Sequence, residues 1–274
     1  MIVDAHHHLW DPATRDYPWL AELGPIRRRY DVADLRGHAA AAGVTRTVLV
    51  QTVPDIGETK EFLALADAHR DLIAGVVGWV DLTSPSVPDV LARLRELPGG
   101  DLLAGIRHQA QDEPDAAWLA RTDVRAGVRA VVAAGLVYDL LVLPHQLAAA
   151  TTLVRAVPDG RFVLDHAAKP PIATGALQPW AGSVRALAAL PNVACKVSGL
   201  VTEARSRAVA AIRPYTDVVL ASFGADRVMF GSDWPVCELV CGYADVVALA
   251  AALTDGHDTA RVFGGTATAW YGLP

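Results

Sequence analysis

Cysteine is scarce in this 274-residue chain, at three residues: Cys195, Cys237 and Cys241. A sparse, odd set excludes a disulfide framework and fits a reducing compartment. Cys237 and Cys241 form a lone C-x3-C pair, too little for a structural zinc site. No apolar run approaches the ~18 residues of a membrane helix, so no membrane partner is expected. No basic stretch followed by an apolar run opens the sequence. A signal peptide is therefore not expected, and the cytoplasm is the default location. Positive charge is not in excess: 24 Lys+Arg face 30 Asp+Glu, a formal net charge of −6. That argues against a nucleic-acid partner, which demands a basic face to displace counterions. No Ser/Gly tract, Pro-rich spacer or charge block marks a domain boundary. Disorder is excluded too, since 52% hydrophobic and 20% charged residues can fill a large core.

What is present is a recurrence. Runs rich in Val, Ile and Leu occupy 2–9, 46–52, 73–82, 102–109, 135–143, 161–166, 192–200 and 227–233. Near-continuous apolar runs of this length suit parallel strands buried on both faces. Ala-rich segments dotted with Arg and Asp lie between and after them, at 34–42, 58–70, 87–97, 116–134, 146–157, 179–190, 203–223 and 243–253. These fit helices, with Gly43 as a stop and Pro179 as a start. Eight strands alternating with helices predict a (β/α)8 TIM barrel, one α/β domain over residues 1–274. A doubly wound sheet usually carries a Gly-rich turn after its first strand, where this chain has histidines.

Barrel active sites lie at the C-terminal strand ends. The polar residues of the apolar runs fall there: His6 and His8, Gln51, Asp81, Arg107 and His108, Tyr138, His166, Lys196 and Asp233. In a strand, His6 and His8 share one face and His7 takes the other. Two inward imidazoles on an apolar strand are costly without a partner, so they point to one ion or one anionic substrate; His7 reads as structural. Asp233, before a Trp-Pro turn, can ligate a metal or act as a general base. His166 suits an inward position, Asp165 an outward one, and Lys169 the loop above. Either Arg107 or His108 faces inward, and a guanidinium there suits a carbonyl, carboxylate or hydroxyl-rich substrate. Lys196 offers a cation, while Cys195 reads as core. Trp19 and Trp234 are candidate stacking surfaces, and Tyr138 and Lys169 candidate substrate contacts.

Taken in order, these stretches resemble the amidohydrolase superfamily of metal-assisted hydrolases, and in finer pattern its lactonase-like branch. The carriers are Asp4-Ala5-His6-His7-His8-Leu9-Trp10-Asp11, Tyr17-Pro18-Trp19-Leu20, Gly105-Ile106-Arg107-His108, Tyr138-Asp139-Leu140-Leu141, Leu164-Asp165-His166-Ala167-Ala168-Lys169-Pro170, Cys195-Lys196-Val197-Ser198-Gly199-Leu200 and Phe230-Gly231-Ser232-Asp233-Trp234-Pro235. The resemblance implies a distorted (β/α)8 barrel and hydrolysis of a lactone, a sugar lactone above all. In it Asp233 activates water, Arg107, His108 and Lys196 stabilise the oxyanion, and His6, His8 and His166 hold a metal or the carbonyl. Binuclear members of the superfamily carry a bridging Lys or Glu on strand four and a histidine on strand five; here Arg107-His108 and Tyr138 stand there. One zinc-like ion on His6, His8, His166 and Asp233 is therefore expected, or none. A metal-dependent decarboxylase and a non-catalytic metabolite-binding barrel are the alternatives.

Overall fold

A strand falls on each of the eight apolar runs, the second beginning two residues before its run. The strands are β1 (Ile2–His7), β2 (Val44–Val50), β3 (Ile73–Gly78), β4 (Leu103–His108), β5 (Val137–Leu140), β6 (Phe162–Leu164), β7 (Val193–Val197) and β8 (Val228–Phe230) in the computed structural model, which describes residues 1–274. All pair in parallel and in chain order. The ring closes where β1 meets the turn after β8. His8 N donates to Trp234 O at 2.7 Å, and Asp233 N donates to His6 O at 2.8 Å. Asp4 fastens the same seam: its carboxylate accepts from Ser232 N (2.8 Å), Ser232 Oγ (2.6 Å) and Tyr243 Oη (2.9 Å).

Helices α1 (Val32–Ala41), α2 (Ile56–Ala68), α3 (Val87–Arg95), α4 (Thr122–Ala133), α5 (Leu147–Ala156), α6 (Trp180–Ala188), α7 (Leu200–Ala204), α8 (Val209–Phe223) and α9 (Tyr243–Leu253) surround the ring, and α10 (Thr266–Tyr271) ends the helical series. Their starts follow local chemistry. Asp31 caps α1 by accepting from Ala33 N and Asp34 N, and Asp34 returns the bond to Asp31 N. This reciprocal box satisfies backbone donors that the first helical turn leaves free. In α3, Val87, Leu91 and Leu94 are buried while Arg93 and Arg95 lie in the last turn.

Three elements differ from the sequence reading. The segment 203–223 is two helices, because Arg205 turns left-handed at φ 50° and ends α7. The segment 116–134 is helical in the α sense only from Thr122, after a short 3-10 turn at Trp118–Ala120. Helix α10 has no counterpart in the reading, being short and preceded by Gly264-Gly265.

α10 and the residues after it matter for the site above them. Ala267, Tyr271 and Leu273 join Val3, Ala5, Val48, Val50, Ala74, Val77, Val137, Val163, Ala194 and Met229 in a core inside the ring, separate from the larger core between strands and helices. They plug the N-terminal end of the barrel. The fit is close: a Cβ on Gly75 would sit 2.8 Å from Leu273 Cδ2.

Candidate active site

A cavity of about 290 Å³ opens at the C-terminal ends of the strands. Its polar wall is His8, Thr52, Arg107, Gln109, Gln111, Asp112, His166, Lys169, Thr202 and Asp233. Trp19, Leu23, Leu141, Val236 and Leu239 form its apolar wall.

β1 delivers its histidines through a bulge. Val3 and Ala5 face the inner core, so unbroken alternation would carry His7 inward. The pairing with β2 slips between Asp4 and His7. That extra residue reverses the parity, as bulges do. His6 and His8 then face the interior, and His7 bonds Thr47 Oγ1 at 3.0 Å on the other side.

β6 is followed by a second irregularity. Val163 faces the inner core, so alternation sends Asp165 inward, not outward as expected. His166 also reaches the cavity, because His166, Ala167, Ala168 and Lys169 are all left-handed, with φ between 49° and 59°. Such backbone costs roughly 1–2 kcal/mol per non-glycine residue. Trp180 Nε1 pins the turn by donating to Ala167 O at 2.7 Å. Asp233 is left-handed as well, at φ 56°.

The result is a convergence of ligating atoms. His6 Nε2 and His8 Nε2 lie 3.1 Å apart. Asp233 Oδ1 lies 3.5 Å from His8 Nε2 and 3.8 Å from both His6 Nε2 and His166 Nε2. The opposite ring nitrogens are held: His8 Nδ1 donates to Val50 O (2.8 Å), and His166 Nδ1 contacts Ser198 Oγ (2.9 Å). His8 Nε2 is therefore a bare acceptor. Burial lowers the pKa of His6, His8 and His166, the last to about 4, so the rings are neutral near pH 7. Burial alone would raise Asp233, but His166, His8 and Lys169 outweigh it and hold the carboxyl below the ordinary range. Neutral imidazoles and a carboxylate with oriented outer partners fit a single divalent ion.

Arg107 occupies the β4 position where a bridging ligand would stand. It is 2% exposed. Its Nε donates to Gln51 Oε1 (3.0 Å), Nη2 to Gln51 O, and Nη1 to Asp165 Oδ2 (3.0 Å). Nη1 also lies 3.3 Å from His6 Nε2, and one N–H of Nη2 has no protein acceptor.

Four expected site residues lie elsewhere. His108 points outward on β4, stacks on Trp118 with centroids 4.2 Å apart, and bonds Glu113 and Trp79. Strand alternation requires this once Arg107 is inside. Tyr138 faces the helix layer and packs edge-on against Phe162. Trp234 is fully buried between Tyr30 and His38, its Nε1 donating to Glu238 at 2.8 Å. Lys196 is fully buried beneath the cavity, bonded to Asp139 Oδ2 at 2.7 Å, and cannot reach an oxyanion. The reading passed over Gln109, Gln111, Asp112 and Thr202, which sit on loops and α7 where no periodicity betrays direction. It also passed over the role of Gly199. At φ +66° a Cβ there would lie 2.7 Å from His166 Nδ1 and 3.1 Å from Asp233 Oδ2.

Comparison with known proteins agrees with this geometry. The chain is 40% identical to L-fucono-1,5-lactonase of Burkholderia ambifaria, over 98% of this chain and 94% of that one. It is 39% identical to L-fucono-1,5-lactonase of Burkholderia multivorans, over 99% and 96%. A crystal structure of an amidohydrolase from Burkholderia multivorans with bound zinc superposes with a TM-score of 0.93 at 38% identity, covering all of both chains. The amidohydrolase family itself matches residues 3–273. By family match, relatives and fold alike, the chain belongs to the amidohydrolases.

Proposed function

We propose that the protein is a hydrolase that opens a sugar lactone with base-activated water. One observation carries the reading: a carboxylate held below its ordinary pKa range, Asp233, faces a cavity of about 290 Å³ whose wall also carries Thr52, Arg107, Gln109, Gln111, Lys169 and Thr202. A hydroxyl-bearing ring matches such a hydrogen-bonding wall better than a flat aromatic ring does. The decarboxylase and non-catalytic readings are therefore less well supported. The relatives near 40% identity, named L-fucono-1,5-lactonases, point the same way.

Asp233 takes a proton from water, whose oxygen adds to the lactone carbonyl carbon. The uncommitted Nη2 proton of Arg107 donates to the oxyanion. Collapse breaks the ring C–O bond, and Asp233 returns its proton to the leaving oxygen. His166 and His8, with Lys169 beyond them, keep Asp233 ionised. His6, His8, His166 and Asp233 would hold one divalent ion, zinc by their donor set. When bound, it supplies Lewis-acid polarisation of the carbonyl and a more acidic water. The Asp233–Arg107 pair serves with or without it. No helix is long and apolar enough to cross a membrane, and free thiols at Cys195, Cys237 and Cys241 suit the cytoplasm.

The test is proton release from a panel of aldono-1,5-lactones, aldono-1,4-lactones, unsubstituted δ-valerolactone and a hydroxybenzoic acid, with zinc added or chelated. Fast opening of the hydroxylated lactones and neglect of δ-valerolactone are expected. Carbon dioxide from the aromatic acid, with no lactone opened, would overturn the reading.

A further inference from the structure

Beneath the cavity lies a buried column of charge that the steps above do not use. Tyr271, from the plug at the barrel's far end, donates to Asp139, 2.9 Å from Oδ1 and 2.7 Å from Oδ2. Asp139 Oδ2 accepts from Lys196 Nζ at 2.7 Å. Lys196 Nζ in turn stands 3.1 Å from His6 Nδ1 in hydrogen-bonding geometry. Tyr271 is 5% exposed, and Asp139, Lys196 and His6 are fully buried.

Two groups compete for His6 Nδ1. Lys196 can only donate to it. Asp165 Oδ1, 3.3 Å away, can only accept from it. Asp165 Oδ1 also lies 2.9 Å from Lys196 Nζ, but off the hydrogen-bonding direction, and has no hydrogen-bond partner. The choice fixes the other end of the ring. If Lys196 donates to Nδ1, the single ring proton is on Nε2. There it faces His8 Nε2 at 3.1 Å, which is a bare acceptor because His8 Nδ1 donates to Val50 O. Donor then meets acceptor along the whole path from Lys196 to Val50. If the proton is on Nδ1, a Lys196 N–H faces an N–H, and two lone pairs face each other across 3.1 Å. The second N–H of Arg107 Nη1, 3.3 Å from His6 Nε2, would then gain an acceptor, the first being donated to Asp165 Oδ2 at 3.0 Å. That long contact and an acceptor role for Asp165 Oδ1 are what the Nε2–H state forgoes.

We propose that Lys196 is a positioning residue that fixes His6 as its Nε2–H tautomer, so that donor meets acceptor from Lys196 through His6 and His8 to Val50 without an ion, and zinc is admitted only by moving that proton. The inference rests on the single-ion site proposed above. On loading, the His6 proton leaves Nε2 and ends on Nδ1, where Asp165 Oδ1 accepts it. The freed Nε2 lone pair turns to the ion. Lys196 keeps its three protons and loses one acceptor, and His6 neither gains nor loses a proton in total. The orphaned Asp165 oxygen is the acceptor that the loaded state requires. Lys196 thus holds zinc affinity down, and Asp165 makes binding possible.

Long-range proton–nitrogen NMR of the 15N-labelled, zinc-free full chain reads the tautomer directly. His6 should show a protonated Nε2 and a bare, hydrogen-bonded Nδ1, and the two should exchange roles when zinc is added. A zinc-free His6 protonated on Nδ1 would overturn the proposal. The second arm is K196M/D139N, which removes one positive and one negative charge and leaves the net charge unchanged. In competition with a chromophoric chelator it should bind zinc about 10-fold more tightly or better, the scale of other outer-sphere changes. Equal or weaker binding by the folded variant would count against the proposal. If that variant does not fold, the wild-type spectrum decides. The ion site itself is judged separately, by whether the wild-type ring nitrogens of His8 and His166 shift on adding zinc at all.

Discussion

Glu58 is fully buried yet unpaired by any cation of its own, and its position explains how the β2–α2 loop presents Thr52 to the cavity. Its carboxylate accepts from Thr52 N (2.8 Å), Val53 N (3.3 Å) and Thr52 Oγ1. Burial pushes its pKa up to about 7 against an ordinary 4.5, despite those bonds. The folded state therefore binds this proton more strongly than the unfolded chain. The associated stability is complete below about pH 4.5 and is lost as pH rises through about 7. Glu58→Gln keeps the acceptor and removes the titration. Its stability relative to wild type should climb between pH 5 and 8, by about 3 kcal/mol at most. Urea melts at both pH values check this; an equal difference at the two would refute it. Arg107 is assigned its uncommitted Nη2 N–H for the oxyanion. Arg107→Met should lower kcat by about 10²–10³ if that proton meets the oxyanion. It should leave kcat/KM without an acidic limb above the ordinary carboxylate range, since Asp233 is held below it. Loss only in KM, with kcat intact, would make Arg107 a binding group.

The elements set how much could be read in advance. All eight strands were legible because their apolar runs are long and their period is unambiguous. His6 and His8 were assigned to one face by alternation, yet what turns that face inward is the bulge before His7, which no composition signal marks. Asp165 was misjudged because alternation from the inward Val163 already sends it inside, and the left-handed turn that follows it brings His166 in as well. The side of Arg107 against His108 was open in the sequence, because either parity satisfies alternation and only the neighbouring strands decide. Gly199 is a clean test of how tightly these turns are built. Gly199→Ala should cost roughly 1 kcal/mol of backbone strain, and the displaced His166 and Asp233 should lower kcat about 10²-fold. Gly135 also has positive φ, at +75°, but open space around its missing Cβ. Gly135→Ala should thus carry the strain without the loss of activity. Equal kcat in the two variants would show that Gly199 does not shape the site.

At the scale of the molecule, the barrel brings together residues far apart in sequence through two seams. Asp4, Ser232 and Tyr243 lock the first strand to the last, and the C-terminal plug touches the site's underside through Tyr271 and Asp139. Between them the ligating end is held by buried polar groups, while Gln109, Gln111 and Asp112 of the cavity wall lie outside the strands, where sequence varies most freely. That division is why the reaction type was readable and the sugar was not. The decisive measurement is kcat for the aldonolactone that wild-type protein opens fastest, compared between wild-type and Asp233→Asn protein at neutral pH, with melting temperatures alongside. Asn keeps the shape of the side chain and removes the base. The expected result is an unchanged fold and a kcat lower by about 10²–10⁴. Near-normal turnover by the folded Asp233→Asn protein would contradict Asp233 as the base and move that role to His166.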